Sequence, residues 1–203
     1  MKITKFAEKL QEKRKKLAQS FLNLGTNLYN QGLYKYASED FERCLEYDPK
    51  MIEACIALGD CWKNLNQYDK ALEYYNKAID IDNNNALAYE NRAEVFALRD
   101  EINLAIQDLQ CAIMIDSESP SSHGSLGTIY FNLGELEKAL EEFNQVIQLA
   151  PEFALSYVDR ASVYEQMQEL EKALEDYNKA LELIEEEDDK KEILVKIENL
   201  SSK

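Results

Sequence analysis

The side chains able to do chemistry in this chain are one histidine, four cysteines and a large excess of carboxylates, and their spacing argues against catalysis. His123 has no nucleophile and no second ligand at a recognisable interval, so it reads as a packed histidine rather than a general base or metal ligand. No glycine-rich phosphate loop, no nucleophile with a base partner and no metal-ligand spacing occurs. The expectation is therefore a non-enzymatic chain with no catalytic residue, no cofactor and no metal. Cys44, Cys55, Cys61 and Cys111 form no CxxC pair and have no histidine cluster beside them. They read as small buried hydrophobes in a reducing compartment, which points to a cytoplasmic location.

Charge narrows the partner. The 203 residues carry a formal charge of −16, the reverse of the basic surface that neutralises phosphates, so nucleic acid is not an expected partner. No apolar run approaches the roughly 18–20 residues of a membrane span. Residues 1–17 stand apart, with seven Lys/Arg against two Glu, a net +5 that leaves −21 on residues 18–203. They lack the apolar core of a secretory signal. Ile3, Phe6, Leu10 and Leu17 lie at helical spacing, and nothing between Leu10 and Phe21 breaks a helix. This basic N-terminal helix either caps or extends the body of the protein, or docks on an acidic partner or membrane surface.

From Ala18 a period of 34 residues takes over, giving five units at 18–51, 52–85, 86–119, 120–153 and 154–187. The eighth position is always small: Gly25, Gly59, Ala93, Gly127, Ala161. The twentieth is always alanine: Ala37, Ala71, Ala105, Ala139, Ala173. The eleventh is large, Leu28, Trp62, Phe96, Tyr130 and Tyr164, as is the twenty-fourth, Phe41, Tyr75, Leu109, Phe143 and Tyr177. Two helices approach closely only where both present small side chains, with large neighbours filling the flanks. Asp48-Pro49, Asp82-Asn83, Asp116-Ser117 and Ala150-Pro151 supply turn chemistry at the unit ends. Position seven is leucine in three units but Arg92 and Arg160 in the third and fifth, where position twenty-three is Asp108 and Asp176. An Arg–Asp ion pair across the two helices of each of those units is predicted, with a structural and not a catalytic role.

A 34-residue helix–turn–helix with Leu-Gly at seven and eight, an aromatic at eleven, Ala at twenty and an aromatic at twenty-four resembles the tetratricopeptide repeat. The resemblance covers residues 18–187. Asn83, Ser117 and Glu185 replace the terminal proline in three units, and Asn66, Asp100 and Gln168 replace the turn glycine seen at Gly32, which weakens local turns but not stacking. The resemblance implies an all-α fold, a right-handed α-solenoid whose first helices line a concave face. Residues 188–203 would supply a capping helix and tail, with Ile193, Leu194, Ile197 and Leu200 covering the last repeat. The run Glu185–Asp189 contains no breaker, so one long rod supported by Glu186–Lys190 and Glu187–Lys191 pairs is the alternative.

In this family the groove is lined from fixed positions of each first helix. Here the candidates are Asn23, Tyr29 and Asn30; Ile56, Asp60, Lys63 and Asn64; Glu90, Asn91 and Glu94; Phe131 and Asn132; and Asp159, Glu165 and Gln166. The amides of Asn30, Asn64, Asn132 and Gln166 can both donate to and accept from an extended peptide. Acids outnumber the single Lys63, so the groove is expected to favour a basic or apolar peptide or helix of another protein. The family's clamp for acidic chaperone C-terminal tails requires cations that are missing here. Starting from the first unit its positions hold Leu22, Thr26, Ala57, Leu87 and Asn91, and none fits; starting from the second they hold Ile56, Asp60, Asn91, Ser121 and Ser125, and only Asn91 fits. The expected function is a protein–protein adaptor or scaffold. The alternatives are a structural or self-associating subunit of a larger complex, or a regulatory partner of a separate catalytic chain.

Overall fold

The computed structural model describes residues 2–201, with side chains described over 8–186 and 190–200. The described residues form eleven helices and no strand. They fall into two compact units, Met1–Ile115 and Asp116–Lys203. The first unit holds α1 (Lys2–Asn30), α2 (Tyr34–Tyr47), α3 (Ile52–Asn64), α4 (Tyr68–Ile81), α5 (Ala86–Leu98) and α6 (Ile102–Ile115). The second holds α7 (Pro120–Asn132), α8 (Leu136–Leu149), α9 (Ala154–Gln166), α10 (Leu170–Leu183) and α11 (Glu187–Ser201). Within each unit consecutive helices pack on one another, most extensively the two helices of a single repeat. This is the layering of an α-solenoid built from helix–turn–helix repeats.

Three contacts explain why the small positions are small. A Cβ added at Gly25 would lie 2.6 Å from Phe41 Cε1, one at Gly59 would lie 2.3 Å from Tyr75 Cε1, and one at Gly127 would lie 2.9 Å from Phe143 Cε1. Each ring therefore rests directly against the backbone of the facing helix. The five alanines at the twentieth position are fully buried. The helix pairs are closed by one turn used five times. Gly32, Asn66, Asp100, Gly134 and Gln168 all have φ between 57° and 76°. The following residue's N–H donates back to the carbonyl of Leu28, Trp62, Phe96, Tyr130 or Tyr164, at 2.8–3.0 Å. That bond satisfies a carbonyl left over at the helix end. The three non-glycine residues hold the same geometry, so the turn is imposed by the packing of the helices it joins.

The two ends are built differently. α1 runs without a break from Lys2 to Asn30, so the basic residues extend the first helix of the first repeat and do not form a helix of their own. The side chains of Ile3 and Phe6 lie outside the described ones. At the other end α10 stops at Leu183 and α11 begins at Glu187, so the long-rod alternative is not adopted. Ile193 and Leu200 are buried in one cluster with Tyr157, Ala161 and Tyr177, with Ile197 packed beside them, while Leu194 is exposed. The Glu187–Lys191 pair lies outside the described side chains.

Gly59→Ala is expected to lower stability by about 1–3 kcal/mol, because the Tyr75 ring cannot withdraw without opening a fully buried site. Gln168→Gly is expected to raise it by about 1 kcal/mol, the cost of holding a side chain in the left-handed region. Urea unfolding of the two variants checks both signs.

Candidate functional site

In the first unit the predicted groove residues hold one another. Asp60 sits at the centre, where its Oδ1 accepts from Tyr75 O–H at 2.6 Å and from Asn91 Nδ2 at 3.0 Å. Lys63 Nζ lies 3.8 Å from that oxygen and 2.6 Å from Glu94 Oε2. Asn64 Nδ2 donates to the Tyr29 hydroxyl oxygen at 3.1 Å and to the Asp60 carbonyl at 2.8 Å. Burial pushes the Asp60 carboxyl above its ordinary range, with Tyr75 and Lys63 pulling the other way, and burial also pushes the Tyr75 phenol up. Asn23 accepts from Gln19 Nε2 at 3.0 Å, Asn30 is exposed, and Glu90 is half-buried. Ile56 is 7% exposed and belongs to the core, so it offers no open apolar contact. The network joins α1, α3, α4 and α5 and leaves few of these groups unengaged.

The two arginines are organised alike. Arg92 Nε and Nη2 donate to Asp108 Oδ2 and Oδ1, both at 2.7 Å, and Arg160 does the same to Asp176 at 2.8 and 2.7 Å. Both aspartates are only 6% exposed. Each guanidinium has a third partner that the sequence reading missed: Arg92 Nη1 donates to Asn76 Oδ1 and Arg160 Nη1 to Asn144 Oδ1, each at 2.6 Å. The amides come from the repeat before, so each arginine ties its own two helices to the preceding one. The readable signal is Asn–Arg–Asp at intervals of sixteen residues in both cases. Tyr89 and Phe96 flank Arg92, and Tyr157 and Tyr164 flank Arg160, with 5.4–5.8 Å from guanidinium carbon to ring centre.

The second unit has open space instead of a network. A cavity of about 580 Å³ lies along α7 and α9. Its floor is Ser121, Gly124 and Ser125, and a Cβ at Gly124 would meet nothing closer than Val146 Cγ2 at 3.8 Å. Phe153 and Leu155, each about half exposed, form its lip. Asp159 also lines it, and no hydrogen bond to its carboxylate is found among the described residues. Burial pushes this carboxyl up to about 6, with Lys196 acting in the opposite direction. A second cavity, of about 520 Å³, shares Glu152, Phe153 and Leu155 with the first and opens against α11. Phe131, Asn132, Glu165 and Gln166 do not line either cavity, and Asn132 and Gln166 are exposed. Glu152, Phe153 and Val146 line the space without standing out in the sequence. The run of small residues around Ser121-Ser122 and Gly124-Ser125 is the readable sign of it.

His123 Nδ1 lies 2.6 Å from Glu142 Oε2 and both side chains are largely buried, so position twenty-three has a nitrogen partner in the fourth unit too. All four cysteines are free; Cys44, Cys55 and Cys61 are buried, and burial pushes Cys61 up to about 12. Among the described residues no three His, Cys, Asp or Glu side chains converge to hold a metal, and no helix is long and apolar enough to cross a membrane.

Family models described as tetratricopeptide repeat match residues 18–51, 52–85 and 154–186, and one described as TPR repeat matches 127–168. The chain belongs to the tetratricopeptide repeat family, whose fold is typically a non-catalytic scaffold for protein interactions. Among solved structures it is similar to MamA, with 26% identity and a TM-score of 0.70 over 82% of this chain and 91% of that one. It is also similar to a thermophilic TPR protein of Thermus thermophilus, with 26% identity and a TM-score of 0.69 over 92% and 100%. PilF of Pseudomonas aeruginosa shares the fold, with 18% identity and a TM-score of 0.80 over 93% and 89%. No curated protein sequence matches the chain.

Arg92→Leu is expected to destabilise the protein by about 3–5 kcal/mol, because it strands a buried carboxylate, and Arg92→Leu with Asp108→Leu should recover most of that loss. Calorimetric unfolding of the single and double variants measures both. Asp159 titrates with the opposite sign from a salt-bridged acid. Its folded-state value is raised, so its favourable contribution is present below about pH 4 and is lost as pH rises through about 6. Asp159→Asn should therefore be more stable than the parent at pH 7 and equal to it at pH 4, as urea midpoints across that range will show.

Proposed function

We propose that this chain is a non-catalytic adaptor that binds a basic and apolar segment of another protein, and that the α7–α9 groove of the second unit is the principal seat. The observation that carries this reading is Asp159, a carboxylate held without a hydrogen bond beside an open cavity with small-residue floor and apolar lip. Keeping such a group ionised at neutral pH destabilises the fold, and a cationic side chain entering the cavity removes that cost. An apolar side chain fits the space over Gly124, between Val146 and Leu155. The first-unit residues Asp60, Lys63, Asn64, Asn91 and Glu94 are engaged with one another rather than left as unoccupied partners. Acidic chaperone tails do not fit this seat, since the positions in α7 and α9 where such a clamp needs cations hold Ser121, Ser125, Leu155 and Asp159. The buried free thiols suit a reducing compartment such as the cytoplasm.

A positional-scanning library of twelve-residue peptides should enrich Lys or Arg next to a large apolar residue. Asp159→Lys should weaken the selected peptide about tenfold, roughly 1.4 kcal/mol, and abolish the cationic preference. Affinity for that peptide should fall as pH drops from 7 to 5, because protonation removes the Asp159 charge. Calorimetric titration reads all three effects, and a library that selects acidic peptides would sink the reading.

A further inference from the structure

Cations are densest at one end of this acidic chain, on the part of α1 that runs beyond the first repeat. Arg14 anchors that overhang. Its Nη2 donates to the Glu46 carbonyl at 2.9 Å and its Nε to the Tyr47 carbonyl at 3.4 Å. The guanidinium thus serves carbonyls that α2 leaves unpaired and lies at the negative end of that helix. Between the overhang and the α2–α3 corner opens a cleft of about 540 Å³. Leu10, Tyr47 and Pro49 supply its apolar surface, and Leu10 is 51% exposed. Arg14, Lys15 and Lys50 stand around it against a single acid, Asp48, whose Oδ1 already accepts the Lys50 backbone N–H at 3.3 Å. No ion pair to Lys15 or Lys50 is found among the described residues. Tyr47 is stacked on Phe21, with ring centres 5.7 Å apart, so the floor is held in place before anything binds.

We propose that this cleft is a docking site for an acidic segment of a partner protein that carries one large apolar side chain. The apolar residue seats on Leu10, Tyr47 and Pro49, and its flanking carboxylates meet Lys15 and Lys50. The charge is opposite to that of the α7–α9 groove, so this site takes a different ligand and does not depend on the groove reading. A concave cleft with an apolar floor suits a protruding side chain better than a flat anionic membrane.

The test titrates the full chain into a labelled twelve-residue probe of Glu and Asp with one central Phe. Saturable binding is expected, weakening about tenfold in Lys15→Glu/Lys50→Glu and with rising salt, and also when the probe's Phe is changed to Ser. Leu10→Ser, an exposed change that leaves the charges in place, should weaken it as well, while Asp159→Lys should bind within about twofold of the parent. Circular dichroism confirms that each variant is folded. Binding that fails to saturate, or that the charge reversals leave unchanged, overturns the proposal. So does association with phosphatidylserine vesicles in place of the peptide, or a mass by light scattering that grows with concentration and is reset by the same double variant, which would make a second copy the occupant.

Discussion

Everything in this protein rests on how closely two helices of a repeat can approach. Phe41, Tyr75 and Phe143 lie against backbone that has no Cβ to offer, at Gly25, Gly59 and Gly127, and in the third and fifth repeats the same position is a buried alanine, Ala93 or Ala161. That contact sets the spacing of each helix pair and determines which residues of the odd-numbered helices face outward. At the three glycines it leaves no room for another carbon, while the fifth repeat accommodates the Cβ of Ala161 in one buried cluster with the Tyr177 ring. The left-handed residue in each turn follows from it. Asn66, Asp100 and Gln168 accept an unfavourable φ because the helices on either side are already held.

Polar groups elaborate this frame differently in the two units. In the first, Asp60 collects Tyr75, Asn91 and Lys63 into a connected wall, and Arg92 ties Asp108 and Asn76 across neighbouring repeats. In the second, Arg160 repeats the same three-way tie with Asp176 and Asn144, but the facing surface of α7 is small residues and space. A charge that is fully paired stiffens a scaffold, whereas among the described residues Asp159 has no hydrogen bond and only the Lys196 charge to offset its desolvation. Asp60 and Asp159 both stand on the first helix of their repeat, at its ninth and sixth positions, and of the two only Asp60 has hydrogen-bond partners for its carboxylate among the described residues.

Much of this is legible in the residue types. The 34-residue period, the invariant alanines and the small eighth positions specify helix pairs and their facing surfaces, because local side-chain volume dictates where helices can touch. The Arg–Asp spacing is readable for the same reason: positions seven and twenty-three face each other in any repeat so built. The third partners, Asn76 and Asn144, are harder to see, since they depend on how one repeat is rotated on the next. Ile56 looks available from its position and is covered by its neighbours.

Architecture and family are thus written in the chain itself, because stacking requires particular sizes at particular intervals. Which acidic residues engage one another and which do not is decided by the folded arrangement. So is the continuity of α1, the break that sets α11 off from α10, and the placing of Asp159 beside open space while Asp60 is enclosed by partners. Those outcomes depend on distances between side chains far apart in the chain, and a repeat pattern that fixes only the stacking positions leaves them undetermined.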